Sequence, residues 1–127
     1  MADPFTQHGA FSWFELMTTD VAAAKEFYSR LFGWSMEDMA MPGMPYSVVK
    51  VEGEGTGGIM PIPEQMKGMP PMWGCYVTVS DVDDTAKTAQ QLGGKVVSPP
   101  RSVPDVGRMC VIQDPTGAML SAITYSR

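Results

Sequence analysis

A chain of 127 residues with a formal net charge of −5 and 44% hydrophobic residues is long enough to bury one core and too apolar to be disordered. It has no basic cluster, which argues against a nucleic acid or an anionic membrane as partner, and no apolar run approaches the length of a bilayer span. Met1-Ala2-Asp3-Pro4-Phe5 places an acid where a secretory leader carries a base, so a cytoplasmic protein is expected. Cys75 and Cys110 lie in apolar stretches and read as reduced core thiols rather than a disulfide.

Residues 11–17 are short, aromatic and apolar, and predict a strand. Asp20 is the best N-cap for the helix that follows, in which Val21, Ala24, Phe27, Tyr28 and Leu31 form one apolar face and Gly33 is the stop. Residues 34–39 and 46–51 predict two strands joined by a turn at 41–45, and residues 55–60 lead into a short fourth strand. A Pro- and Met-rich connector follows at 61–72, where no regular structure is expected.

The order then recurs. Residues 73–79 predict a strand, and Asp81 caps a helix with Val82, Ala86, Ala89 and Leu92 on its apolar face and Gly93-Gly94 at its end. Residues 95–98 predict a strand, 99–106 a loop, and 107–113 and 118–125 two more strands joined by the type I turn Asp114-Pro115-Thr116-Gly117. The offset that relates Trp13 to Gly74 also relates Asp20 to Asp81, Leu31 to Leu92, Gly33 to Gly94 and Met60 to Ser121. The chain therefore reads as an α+β fold of two βαβββ repeats: repeat one at 11–60, the connector at 61–72 and repeat two at 73–125. The two halves are expected to join in one curved mixed sheet with both helices on its convex side.

These segments resemble the vicinal oxygen chelate superfamily, which includes glyoxalase I, bleomycin-resistance proteins and extradiol dioxygenases. The resemblance is carried by residues 13–20, by Ala23-Ala24-Lys25-Glu26-Phe27-Tyr28 with Leu31-Phe32-Gly33-Trp34, by residues 77–83, by Leu92-Gly93-Gly94 and Gly107-Arg108, and by Asp114-Pro115-Thr116-Gly117-Ala118. It implies metal ligands seven residues before each helix-capping Asp, seven residues after Asp114 and at the repeat counterpart of that last position. Those positions hold Trp13, Gly74, Ser121 and Met60. Indole and glycine are no ligands, a lone hydroxyl is a poor one, and a thioether suits only soft metals. No metal and no other cofactor is therefore expected. The resemblance also implies a homodimer.

Strand parity puts Trp13, Glu15 and Met17 on one face, with Gly74, Tyr76 and Thr78, and Met119, Ser121 and Ile123, as their counterparts. On the geometry of the family these line one cavity. The candidate ligand-binding residues are Trp13, Glu15, Met60, Gly74, Tyr76 and Ser121, an aromatic and apolar set suited to a small flat ligand. Glu15 is the candidate catalytic acid or base; its structural alternative is an ion pair with Arg108 or another cation. Ser121 and Cys110 lack a base to activate them, and His8 reads as a solvated residue ahead of the first strand. Phe27, Tyr28 and Trp34 read as core. The leading function is a metal-independent small-molecule binding protein of the glyoxalase and bleomycin-resistance type. The alternative is a glyoxalase-like lyase or isomerase, or a dioxygenase-like enzyme, using Glu15 or an unconventional metal site.

Overall fold

A computed structural model describes residues 3–41 and 44–126. The element order is βαβββ twice: β1 (Phe11–Thr18), α1 (Val21–Phe32), β2 (Ser35–Met41), β3 (Met44–Val51) and β4 (Glu54–Pro61), then β5 (Met72–Thr78), α2 (Val82–Gln91), β6 (Lys95–Val103), β7 (Gly107–Gln113) and β8 (Met119–Tyr125). The chain divides into two compact units, Trp13–Gly74 and Cys75–Arg127, the second also taking in Met1–Ser12.

In the Trp13–Gly74 unit the strands run β2-β3-β4-β1. β1 is parallel to β4, whereas β2–β3 and β3–β4 are antiparallel. Leu16, Val49 and Ile59 are its buried centre, covered by Val21, Ala24 and Tyr28 of α1 with Trp34 and Met36. Ile59 is fully buried, a burial that stabilises by about 1.5–3 kcal/mol. Local chemistry sets both ends of α1. The Asp20 carboxylate accepts from the Ala23 N–H at 3.0 Å, and Gly33 takes φ 75° while its N–H reaches the Ser29 carbonyl. Lys25 is tied to Asp38 at 2.8 Å, and Ser47 donates to the same carboxylate at 2.6 Å. These bonds hold the Asp38 carboxyl below the usual carboxylate range, the Lys25 hydrogen bond contributing most.

The apolar face expected for α1 is only partly used. Phe27 is 58% exposed and Leu31 56% exposed, and α1 contains no buried residue. Val21, Ala24 and Tyr28 take the stripe against the strands, and Phe27 is turned about 100° round from Tyr28. Five rings, those of Phe27, Tyr28, Phe32, Trp34 and Trp73, instead form a linked cluster around Tyr28, which also accepts from the Trp73 indole at 3.1 Å.

In the Cys75–Arg127 unit the strands run β5-β8-β7-β6, again with one parallel pair, β5 with β8. Val79, Val82, Ala86, Cys110 and Ala122 form its core. Asp81 caps α2 through the Asp84 N–H at 3.1 Å. Leu92, expected inside, is the C-cap and 74% exposed, because the helix stops at Gln91 before its last apolar position can turn inward. Burial, and then the charge of Asp83, push the Cys110 thiol up, which leaves it a poor nucleophile at neutral pH.

Three further expectations are corrected. Residues 99–103, read as loop, continue β6 through Pro99 and Pro100. The prolines are accommodated because β6 is the last strand of its unit and its ladder skips from Ser98 to Arg101. The turn read at 41–45 is shorter: Met41 pairs with Met44 and Pro45 with Ala40, which leaves Pro42 and Gly43, both outside the described residues. The connector is not wholly irregular, since Pro61 closes β4 and Glu64–Met66 form a 3₁₀ turn. His8 is exposed and precedes β1, as expected, but it is also tied to the fold. Its Nδ1 accepts from the Ser80 N–H at 3.0 Å, and Pro4, Gly9 and Ala10 are hydrogen-bonded to Thr78.

The Asp114 turn forms as expected, with the Gly117 N–H on the Asp114 carbonyl at 3.0 Å. The carboxylate adds bonds from the Thr116 hydroxyl at 2.6 Å, the Thr116 N–H at 2.8 Å and the Ala118 N–H at 3.2 Å. These hold its pKa below the ordinary 3.8, the hydroxyl contributing most. A depressed carboxylate stabilises the fold above its unfolded value and loses that contribution as pH falls through the folded one. Asp114→Ala is thus expected to lower Tm at neutral pH, and the gap from wild type to close as pH drops below 3.8. Thermal melts across that range check it; a gap that widens in acid would contradict the assignment.

Candidate functional site

The most developed polar arrangement on an otherwise apolar surface is in the Trp13–Gly74 unit, on the strand face away from α1. Alternation along β1 sends Phe14 and Leu16 toward the helix, and Trp13, Glu15 and Met17 the other way. The indole Nε1 of Trp13 donates to the Tyr46 hydroxyl at 2.9 Å, and that hydroxyl donates to Glu15 Oε2 at 2.7 Å. One phenol thus joins the aromatic ring and the carboxylate expected at the site and fixes both. Glu15 is half-buried, as are Trp13 and Tyr46.

β4 makes this arrangement possible. Glu15 is in register with Gly58, and Met17 with Met60. A Cβ on Gly58 would overlap the hydroxyl and ring carbons of Tyr46, so only glycine lets that ring lie across the strand. At Gly55, by contrast, an added Cβ would stand 3.6 Å from the Trp13 ring, an ordinary contact, and 3.3 Å from Val48 Cγ1. Sequence reasoning singled out Trp13 and Glu15 but missed Tyr46. The signal was the run Gly55-Thr56-Gly57-Gly58, since clustered glycines in a strand mark places where another group comes close.

Of the other candidates, Met60 is buried, 6% exposed, and covers the same strand face. Gly74 leaves open space: an added Cβ would meet only the Glu15 carbonyl, at 3.9 Å. Tyr76 and Ser121 belong to the Cys75–Arg127 unit, where they are register partners of the β5–β8 pair. Tyr76 is buried and its hydroxyl stands 3.9 Å from the Met109 sulfur, a weak contact. Ser121 is half-buried and also in register with Val111. Arg108, the cation suggested as a partner for Glu15, is engaged within its own unit. Arg108 takes both oxygens of Asp83, at 2.7 and 2.8 Å, and also donates to Ser102.

The four positions where the resemblance implies metal ligands do not suit a divalent ion. The only nitrogen of Trp13 is an N–H that donates to Tyr46, Gly74 has no side chain, and Met60 offers only a buried thioether. Among the described residues no group of three or more His, Cys, Asp or Glu stands close enough to hold a metal. No helix among them is long and apolar enough to cross a membrane.

Residues 10–121 match the family described as the Glyoxalase/Bleomycin resistance protein/Dioxygenase superfamily. The chain is 43% identical over 115 residues to the Putative glyoxylase CFP32 of Mycobacterium bovis, a match that covers 88% of this chain and 44% of that protein. It is 33% identical over 123 residues to the Anthracycline biosynthesis protein DnrV of Streptomyces peucetius, covering 87% of this chain and 45% of that one. It thus spans about half the length of the curated relatives it matches. Among solved structures, methylmalonyl-CoA epimerase from Mycobacterium tuberculosis superposes with a TM-score of 0.70 at 17% identity, covering 100% of this chain and 93% of that one, a likeness of fold.

Proposed function

Because the chain belongs to the glyoxalase/bleomycin resistance protein/dioxygenase superfamily, we propose that it uses the Trp13–Tyr46–Glu15 row to bind a flat, largely aromatic small molecule without a metal. The observation that carries this reading is the double hydrogen bond of the Tyr46 hydroxyl, 2.9 Å from the indole nitrogen and 2.7 Å from the carboxylate. It holds a stacking ring and an acceptor in fixed relative positions, which lowers the ordering cost of binding. Trp13 supplies the ring face and Met60 an adaptable apolar floor. Glu15 accepts from a hydroxyl or amine on the ligand. The 33% identity to an anthracycline biosynthesis protein supports a hydroxylated polycyclic ligand class. A donor set that does not fit a metal supports binding that is indifferent to chelators.

A hydroxylated anthraquinone such as 1,4-dihydroxyanthraquinone is a suitable probe. Wild-type protein is expected to gain Tm in its presence and to show quenched tryptophan fluorescence, with or without EDTA. Glu15→Gln is expected to bind about tenfold more weakly, the loss of one charge-assisted hydrogen bond. No shift with the probe, or binding that requires a divalent ion, would sink the proposal. The same row supports one second reading. The 2.7 Å bond between a phenol and a carboxylate is a geometry for proton transfer, as a lyase or isomerase would need. That reading predicts chemical change of the bound molecule, seen by mass spectrometry in wild type and lost in Glu15→Gln while binding persists.

A further inference from the structure

Beyond the Trp13 indole, the face that carries Tyr46 and Glu15 holds a cation. Alternation along β3 buries Val49 on the α1 side and turns Val48 and Lys50 to the face of Tyr46. Among the described residues of β1 to β4, Lys50 is the only lysine or arginine. Its ammonium stands 3.2 Å from Glu37. Glu37 is in register with Val48, so this ion pair lies on the same face.

The Trp13 ring connects the two ends of that face. Its Nε1 is at the Tyr46 hydroxyl, whereas Cη2 and Cζ3, at the other end of the indole, would stand 3.6 and 3.8 Å from a Cβ on Gly55. Gly55 is the register partner of Lys50, and Gly58 that of both Glu15 and Val48. Glu15 and Lys50 are thus two strand spacings and two residues apart, about 12 Å between backbone positions. A ring system stacked on the indole therefore runs from a carboxylate toward an ammonium. Glu15 repels an anionic group at its own end, and Lys50 attracts one at the other. An ammonium carries three donors, so the single carboxylate of Glu37 does not saturate it. The Lys50 side chain is 31% exposed, and a charge partly withdrawn from solvent is screened less than one in open water. A partly exposed ion pair is weak, so exchanging Glu37 for a ligand anion costs little.

We infer that Lys50 is a specificity-determining residue of this site, and that it selects an aromatic ligand bearing a carboxylate on the ring remote from the hydroxyl that meets Glu15. The inference rests on the reading that the Trp13–Tyr46–Glu15 row binds an aromatic molecule. Glu37 positions the ammonium and competes with the ligand carboxylate for it.

Tryptophan-fluorescence titration of the full chain at low ionic strength, with three probes, tests it. One is the neutral 1,4-dihydroxyanthraquinone. The second, 5,8-dihydroxyanthraquinone-2-carboxylic acid, adds a carboxylate on the remote ring. The third, 1,4-dihydroxyanthraquinone-2-carboxylic acid, adds it beside the hydroxyls. Wild type is expected to bind the remote carboxylate about tenfold more tightly than the neutral probe, the gain from one charge-assisted contact. The carboxylate beside the hydroxyls is expected to bring no gain, since it falls at the Glu15 end. Lys50→Met is expected to abolish the preference for the remote carboxylate, and Glu37→Gln to increase it. Arg30→Gln, which removes a positive charge from an exposed position on α1, is expected to keep it. Equal wild-type affinity for the neutral and remote-carboxylate probes, or a preference that survives Lys50→Met, would overturn the inference and leave the ring-binding reading standing. Failure of all three probes to bind would overturn both.

Discussion

Gly57→Ala is expected to destabilise the protein by about 3 kcal/mol, although it adds one methyl group and touches no functional side chain. The added Cβ would overlap the carbonyl oxygen of Phe14, its register partner in the parallel β1–β4 ladder. Backbone on both sides of that contact is held by strand pairing, so neither side can withdraw without giving up hydrogen bonds. Gly55→Ala is the informative comparison. Its Cβ would meet Val48 Cγ1 at 3.3 Å and the Trp13 ring at 3.6 Å, both side-chain atoms that can shift. It is expected to cost under about 1.5 kcal/mol. Urea unfolding of the two variants separates these cases, and equal midpoints would mean that β4 yields at Gly57.

Gly58→Ala is expected to weaken ligand binding although residue 58 itself would make no polar contact with the ligand. Its Cβ would occupy the space of the Tyr46 hydroxyl, the group that links Trp13 to Glu15. A displaced Tyr46 leaves the indole N–H and the carboxylate without that link, as Tyr46→Phe does directly. Each change is expected to weaken binding of the anthraquinone probe by tenfold or more, the cost of losing hydrogen bonds that involve a charged group. The double variant carries the test. Both substitutions break the same chain, so together they are expected to lose no more affinity than either alone. Strictly additive losses would show that Gly58 acts through something other than Tyr46.

What was legible in the sequence was what local chemistry decides. Asp20 and Asp81 cap helices because a carboxylate satisfies N–H groups a few residues away, and Gly33 ends α1 because it alone adopts the left-handed conformation readily. The repeat made the element order readable for the same reason, since each half carries its own caps and turns. Tyr46 was not legible, because its bonds to Trp13 and Glu15 depend on β4 lying between β3 and β1. Nothing near Tyr46 in sequence records that order. Pro99 and Pro100 were misread because the penalty for proline in a strand depends on whether a neighbour needs its N–H. Phe27 and Leu31 were misread because apolar spacing shows that a helix has an apolar side, and not how wide a stripe the strands will cover.

Those two prolines also bear on how the protein behaves when crowded. A terminal strand normally presents a row of N–H and C=O groups that an incoming strand can pair with, the first step toward fibrils. Across Pro99 and Pro100, β6 lacks two consecutive donors just where its own ladder is interrupted. In the Trp13–Gly74 unit the end strand β2 carries Glu37 and Asp38, bound in ion pairs with Lys50 and Lys25. Charge there resists stacking as the missing donors do on β6. Missing donors on β6 and fixed charge on β2 thus each hinder an incoming strand, by different chemistry at the end of each unit.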